Sequence, residues 1–428
     1  MLLIVIAIVL ICTATLLLSV NTGFCGSKEN DAAFDFSSPP KTRIQLTPDL
    51  SFGGRVELEY QLEKNFHPDA EDCNHTAVWK PSASMAFSYA CTEKSTAFLN
   101  IELSQSIEEN KEDNETVLEL QQAFLSFTQI IDGLDMIIGR QRFRDKREWL
   151  YDEELDGVNL SYGFSDFALD FSVNRKPNKD ILNHKKNKKV TNYLLYGRYT
   201  PDSDTIIGAY SFVQDDRGSA NKSSIFYGLH LSGEMIDSLE YWLELAHVRG
   251  RSKSKKIRGI GFDLGSTYKL DLPLKPSITL GCAFGSGDDD PLDNENNNFR
   301  QTGLQDNSAK FNGVTHLKYY GEMFDPELSN LVILTAGFGL KPTRKTSIDL
   351  VCHHYNQHKL SDKIRDSKID RDPNGLSKEI GKEIDFVAGY KSKWLKSTVS
   401  IGYFMPGKAF SDNTDNALFA EIKIRYDF

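Results

Sequence analysis

The feature that most constrains this chain is an alternation of apolar and polar side chains that recurs from about residue 49 to the C-terminus. In the last segment, ALFAEIKIRYDF, Leu418, Ile422 and Ile424 fall on one face, while Glu421 and Arg425 fall on the other. Successive side chains of a β-strand point to opposite faces, so each such segment is predicted to be a strand with one apolar and one polar face. The pattern predicts an all-β fold.

Eighteen segments of this kind can be counted, separated by breaks rich in Asp, Asn, Gly, Pro or Lys. An even number returns both termini to the same side, as single-chain outer-membrane barrels require. The stretch VTHLKYYGEM could be a nineteenth strand, but the even count assigns it to a loop. The predicted strands lie near residues 54–60, 82–92, 95–107, 117–129, 134–142, 154–164, 166–175, 191–200, 204–214, 222–233, 237–249, 257–270, 274–286, 328–340, 345–358, 382–392, 395–405 and 416–428.

The breaks between the predicted strands alternate in length. SDFA, TPDSD, GEMID and KWLK are short, whereas the breaks near 63–81, 176–190, 287–327 and 359–381 are long, polar and all on one side. Short periplasmic turns and long extracellular loops are typical of outer-membrane barrels. A soluble β-sandwich would also have one buried and one wet face, so alternation alone leaves that alternative open.

Ionisable residues in the middle of the polar faces favour the barrel. A barrel of this size encloses water, so charges on its inner face stay hydrated. The C-terminal Phe428, which ends an amphipathic strand, agrees with this interpretation. We therefore predict an antiparallel transmembrane β-barrel of about 18 strands in the outer membrane of a Gram-negative bacterium. The mid-strand charges are Glu57, Glu102, Arg140, Asp170, Glu244, Asp385 and Glu421.

The N-terminal residues form the one long apolar run, MLLIVIAIVLICTATLLLSV, which is typical of a secretory signal. No Lys or Arg precedes it and no A-x-A site follows it, so an uncleaved anchor helix is the alternative. We predict a signal peptide over residues 1–25, a periplasmic lead-in over 26–48 and the barrel over 49–428, with a long extracellular loop at about 287–327. Cys73 and Cys91 could pair in an oxidising compartment.

Four segments of the chain are similar in sequence to one known protein family. GRQRFRDKREWLYDEELDGV, which begins at residue 139, resembles a signature of the alginate export family of outer-membrane porins. FRQTGLQDN at 299–307 and YYGEMFDPELSNL at 319–331 resemble its long loop region, and SIDLVCHHYNQHK resembles a later strand. The resemblance implies an eighteen-stranded pore, one per chain. Such a pore passes an anionic uronic-acid polysaccharide outward through an arginine-lined constriction, partly covered by inward-folded loops and fed by periplasmic scaffold or secretion-complex proteins.

The signature gathers five cations in a chain whose net charge is −10. Arg140, Arg142 and Arg144 share one face of a predicted strand. Facing lipid at mid-membrane would cost roughly 2 to 4 kcal/mol for each arginine, so we expect them to face the lumen. Guanidinium groups bind carboxylates through paired hydrogen bonds, which suits a chain of uronic acids. Arg300, from the family-like loop motif, and Arg55, on the first strand, are the further pore-lining candidates.

A structural interpretation uses the same residues. Acids follow the arginines at once, and an internal network bracing the barrel wall would combine them with the cations. Both interpretations can hold together, because neighbouring acids would keep the arginines extended and limit tight trapping of a passing polymer. The residues expected in this network are Asp145, Arg147, Glu148, Asp152 and Asp156.

Nothing in the sequence indicates an enzyme, because hydrolase, metalloprotease and phosphate-loop motifs are absent from it. We expect no cofactor, no metal site and no nucleic-acid partner. The leading hypothesis is an outer-membrane channel that exports an alginate-like anionic polysaccharide, is anion-selective and contacts outer-membrane lipid. The alternative is a porin for passive diffusion of small sugar acids or other anions.

Overall fold

The computed structural model describes residues 41–66, 75–109, 114–181, 190–216, 222–252, 254–290, 292–410 and 414–428. The predicted signal peptide, most of the lead-in and Cys73 lie outside these ranges. Within them, no helix is long and apolar enough to cross a membrane.

The described residues form 22 β-strands. Eighteen of them are barrel strands, and β1, β15, β16 and β17 are two-residue pairings beside the barrel or within a loop. The strands are β1 Ile44–Gln45, β2 Leu50–Lys64, β3 His75–Thr92, β4 Ser95–Glu108, β5 Glu115–Ile131, β6 Leu134–Arg144, β7 Asp152–Phe164, β8 Phe167–Arg175, β9 Val190–Tyr199, β10 Ile206–Asp216, β11 Lys222–Ile236, β12 Leu239–Ser252, β13 Lys255–Lys269, β14 Ser277–Gly285, β15 Glu295–Asn296, β16 Ser308–Ala309, β17 Leu317–Lys318, β18 Leu331–Thr343, β19 Thr346–Gln357, β20 Glu379–Lys391, β21 Leu395–Pro406 and β22 Ala417–Asp427.

The barrel strands pair antiparallel with their sequence neighbours, and β2 pairs with β22 to close the sheet. Each of the eighteen predicted strands corresponds to one barrel strand, so the predicted fold is confirmed. The largest shift is at β3, which begins seven residues before the predicted strand at residue 82. Residues 314–323 contribute only the two-residue β17, so their assignment to a loop is also confirmed.

The two ends of the barrel differ in their connections. One end, called the turn end, carries the short links such as 93–94, 132–133 and 165–166, together with the C-terminal residue. The other, called the loop end, carries the longest connections, including 286–330 and 358–378.

Alternation places apolar side chains outside the barrel and polar ones inside. On β20, Ile384 and Phe386 are 42% and 37% exposed, whereas Glu383 and Asp385 between them are 0% and 1% exposed. An apolar outer band toward lipid and a polar lumen are the expected arrangement of a membrane barrel.

The main hydrophobic core lies in the lumen. It is built from residues 286–330, called the plug, together with inward-facing side chains of the wall. Phe311 of the plug stacks on Trp242 of β12 at 6.0 Å between ring centroids. The Val314 amide donates to Ser347 Oγ of β19 at 2.9 Å. The plug therefore packs against the wall along much of the barrel.

Candidate transport passage

The plug fills only part of the lumen. Most lumen-facing side chains from β9 to β20 are buried against it. Along β22, β2 and the neighbouring stretches of β3, β4 and β5, the polar lumen-facing side chains remain partly exposed. We call this region the open sector. Its partly exposed residues include Arg55, Glu57, Glu59, Gln61, Lys80, Ser82, Glu102, Ser104, Glu119, Gln121, Glu421, Lys423 and Arg425.

The hairpin of β6 and β7 leaves the wall and enters the lumen. Beyond Arg140 and Asp156 its two strands pair with each other but no longer with β5 or β8. Strand β5 bonds instead to residues 179–181, which take the vacated place in the wall. We call residues 140–156 the hairpin tip. The sequence predicted wall strands at this point, because alternation is the same in a strand that bends inward.

Gly139 is the hinge of this bend. Its φ is 124°, a conformation that side chains with a Cβ rarely adopt. A Cβ at this position would lie 2.3 Å from the backbone oxygen of Ala123 on β5. Only glycine fits this close approach without displacing the neighbouring strand.

The hairpin tip has two different faces. Gln141, Phe143 and Leu155 are fully buried, and the two apolar side chains among them belong to the lumen core. The opposite face carries Arg140, Arg142 and Arg144, which share it as the alternation predicts, together with acids of β7. The three arginines are therefore partly exposed within the barrel.

Each of these arginines has a carboxylate partner. Arg140 donates through Nε to Asp156 Oδ1 at 2.7 Å and through Nη1 to the backbone oxygen of Leu120 at 2.8 Å. Arg142 binds Asp152 with two parallel hydrogen bonds, both 2.7 Å. Paired hydrogen bonds of this kind fix the guanidinium plane as well as its position.

Arg144 lies where the hairpin tip meets the plug. Its Nη2 donates to Glu148 and to His316 Nδ1, the latter at 3.1 Å. Burial, and then the nearby Arg144, lower the pKa of His316 to about 3. The imidazole is therefore neutral at physiological pH and accepts the hydrogen bond from Arg144.

Three carboxylates gather beside these arginines. Oxygens of Glu148, Asp152 and Asp306 lie within 4.8 Å of one another. Burial raises the pKa of Asp306 to about 6. Each acid already has a cation, because Lys318 Nζ lies 2.7 Å from Asp306 while Arg142 and Arg144 bind the other two. The group is thus balanced by fixed cations of the chain.

Arg147 anchors the hairpin tip to the far wall. It is buried, with its guanidinium 4.1 Å from the Trp242 ring and 4.3 Å from the Tyr319 ring. Its Nη2 donates to Asp263 Oδ2 of β13 at 3.3 Å. Asp263 also accepts from Trp242 Nε1 at 2.7 Å and from the Tyr320 hydroxyl at 3.1 Å. Asp263 therefore ties the hairpin tip, the plug and the wall together.

Asp145 holds the turn of the hairpin tip. It accepts from the amides of Trp149, Leu150 and Tyr151 at 3.0, 2.9 and 2.9 Å. Burial, and then the charge of Glu244, raise its pKa to about 6. Lys146, by contrast, is exposed, so the five cations of the signature occupy three different surroundings.

A second anchor holds the plug to β20. Glu383 accepts from the amides of Met323 and Phe324 at 2.7 and 3.0 Å and from the Tyr355 hydroxyl at 3.0 Å. The plug is therefore fixed at two separated points of the wall, Asp263 and Glu383.

The other two pore-lining candidates lie apart from the hairpin tip. Arg55 is in the open sector, where its Nε lies 2.8 Å from Asp427 Oδ1 across the closing strand pair. Arg300 is 5% exposed within the plug, and its Nε has no hydrogen-bond partner among the described residues. Burial, and then the nearby Arg365, lower the pKa of Arg300 to about 10.

Further charged residues of the open sector were not among the pore-lining candidates selected from the sequence. Glu59 lies between Lys80 and Lys423, and Arg425 binds Glu57. All five lie at alternate positions of polar strand faces, so the direction of their side chains was predictable. Their proximity to one another could not be predicted from the sequence, because it depends on which strands pair to close the barrel.

The closed eighteen-stranded barrel, with its apolar exterior and charged lumen, is that of an outer-membrane porin. The structure of OccK11 (OpdR) from Pseudomonas aeruginosa superposes with a TM-score of 0.57 at 14% identity, covering 89% of this chain and 95% of that one. The chain belongs to the alginate export family, whose profile matches residues 47–420. The family resemblance and the outer-membrane location are thereby confirmed.

Two relatives carry the description alginate production protein AlgE. The one from Pseudomonas aeruginosa is 28% identical over 183 residues, which are 39% of this chain and 36% of that protein. The one from Azotobacter vinelandii is 28% identical over 139 residues, which are 28% of this chain and 27% of that protein. The matched regions thus span between about a quarter and about a third of the relatives' lengths.

Proposed function

We propose that this protein is an outer-membrane channel that exports an anionic polysaccharide of the alginate type through the open sector. The observation that carries the proposal is the arginine face of the hairpin tip, which presents Arg140, Arg142 and Arg144 inside the barrel. Membership of the alginate export family supports the same function. The printed description of the two relatives, alginate production, agrees with it.

The ion pairs on this face suit transit better than tight binding. A uronic-acid polymer carries a carboxylate on each sugar, and each carboxylate can replace Asp152 or Asp156 at a guanidinium that is already oriented. The displaced aspartate stays beside the guanidinium and competes for it, so no single position traps the polymer. Conduction requires sites that a substrate can leave. The pore does not supply the energy of export, which must come from synthesis or assembly on the periplasmic side.

The double variant Arg140→Glu/Arg142→Glu tests the proposal. It reverses two charges on the arginine face, and we expect it to abolish block of single-channel current by oligouronates. Arg249→Glu/Arg251→Glu is the matched control, because these exposed arginines have the same spacing on the outer face of β12 at the loop end. If oligouronates block both variants and the unaltered protein equally, the arginine face is not part of the transport path.

The alternative function is passive diffusion of small sugar acids. It can be distinguished from polymer export by measuring how block depends on the length of the blocking oligouronate. An export channel should be blocked more strongly as the oligouronate lengthens, since more carboxylates engage the charged face at once. A diffusion pore should conduct monomeric uronate and show no such dependence. A periplasmic scaffold or secretion-complex partner and one pore per chain remain predictions from the family resemblance.

A further inference from the structure

Two lysines on neighbouring strands converge on a single carboxylate in the open sector. Lys80 Nζ of β3 lies 3.2 Å from Glu59 Oε1, and Lys423 Nζ of β22 lies 2.6 Å from Glu59 Oε2. Glu59 of β2 is directly opposite both lysines in the strand register. The three residues therefore form one row across the strands that close the barrel.

The exposure of this row differs between the acid and the bases. The Lys80 and Lys423 side chains are 41% and 32% exposed, while that of Glu59 is 12% exposed. The ammonium groups can thus meet a solute in the open sector, and the carboxylate lies between them. Lys80 also donates to Gln61 Oε1 at 2.6 Å, which keeps its ammonium in the row.

We propose that Lys80 and Lys423 form a carboxylate-binding site for the transported sugar acid, and that Glu59 is its built-in competitor. The proposal rests on the proposed function. Glu59 shows what the site accepts, because one carboxylate already receives both ammonium groups. A uronate carboxylate is the same chemical group. Its binding at the two ammonium groups competes with Glu59, which stays attached to the wall beside them.

Lysine suits such an exchange. Its ammonium is a compact charge on a flexible stem, so it can follow a moving anion for some distance. Unlike a guanidinium, it does not depend on two parallel hydrogen bonds in a fixed plane. A competitor on the channel wall is always present at high effective concentration. Glu59 therefore keeps the affinity for a passing carboxylate low, as transit requires.

Glu59→Gln removes the competing charge and nearly preserves the side-chain shape. In planar bilayers, we expect the full-length variant to be blocked by glucuronate and oligouronate at concentrations up to about fivefold lower, corresponding to roughly one ion-pair energy. Lys80→Gln and Lys423→Gln should each weaken the block. Asp289→Asn is the matched control, because Asp289 pairs with Lys359 at 3.3 Å and its exposed side chain belongs to the plug, outside the open sector. Glucuronate and oligouronate should block this variant at the same concentrations as the unaltered protein.

The outcomes separate this proposal from the proposed function. If oligouronates block the unaltered protein and Glu59→Gln to the same degree, Glu59 merely clamps the closing strands and the proposal is overturned. If neither is blocked, the proposed function itself fails. Should Glu59→Gln not give a heat-modifiable barrel, the two lysine variants decide, since unchanged block in both would also overturn the proposal.

Discussion

Replacing Arg147 with Met should release the hairpin tip from the far wall. The substitution removes a buried guanidinium that stacks on Trp242 and Tyr319 at 4.1 and 4.3 Å and donates to Asp263 at 3.3 Å. Breaking a buried charge pair by removing one partner costs about 3 to 5 kcal/mol. Docking of the tip should weaken by a factor of roughly 10² to 10⁴.

Hydrogen exchange of the amides in residues 145–151 measures this directly. Exchange through local opening follows the free energy of that opening, so protection should fall by a similar factor. Lys146→Met is the control, because it removes the same charge from the exposed neighbouring side chain and should leave protection unchanged. If Arg147→Met retains the protection of the unaltered protein, Asp263 and Arg147 do not anchor the tip.

Two further predictions concern the hinge and the plug. Gly139→Ala should lower the midpoint of heat modification, the temperature at which half of the barrel unfolds in a gel assay. A side chain with a Cβ is strained at φ 124°, which costs about 1 to 3 kcal/mol, and the added Cβ would clash with the backbone oxygen of Ala123. Gly163→Ala is the control and should have little effect, because a Cβ there would meet nothing within 4 Å. The pKa of Asp306 is raised to about 6, so between about pH 7 and pH 5 its carboxylate takes up a proton in the folded chain but not in the unfolded one, and this contribution stabilises the fold on acidification. His316, whose pKa is lowered to about 3, contributes with the opposite sign, so the test compares the unaltered protein with Asp306→Asn. On acidification the midpoint of Asp306→Asn should rise less, or fall more, than that of the unaltered protein; equal changes in both would contradict this assignment.

The wall of the barrel could be predicted from the sequence because its signal is local. Each strand needs only a lipid face and a lumen face, and that requirement is visible within about ten residues. The assignment of residues 314–323 came from an even strand count rather than from their own pattern, which also alternates. In the structure these residues lie in the plug, where Val314 and Thr315 pack against the wall.

The interior could be predicted only in part. That Arg140, Arg142 and Arg144 share a face follows from alternation, but the departure of their hairpin from the wall depends on Gly139 and on residues 179–181, which pair with β5 instead. The anchor at Asp263 and the row through Glu59 join residues far apart in sequence. Such contacts depend on barrel closure and plug position, which no local pattern encodes.

The most direct test of transport through the charged lumen is single-channel current from the purified, refolded protein in a planar bilayer, titrated with oligouronates and with neutral oligosaccharides of equal length. The account predicts block by the oligouronates that strengthens with their length and is absent with the neutral oligosaccharides. If neither the oligouronates nor the neutral oligosaccharides block the current, or if both block it equally, the ion pairs of the hairpin tip only brace the barrel.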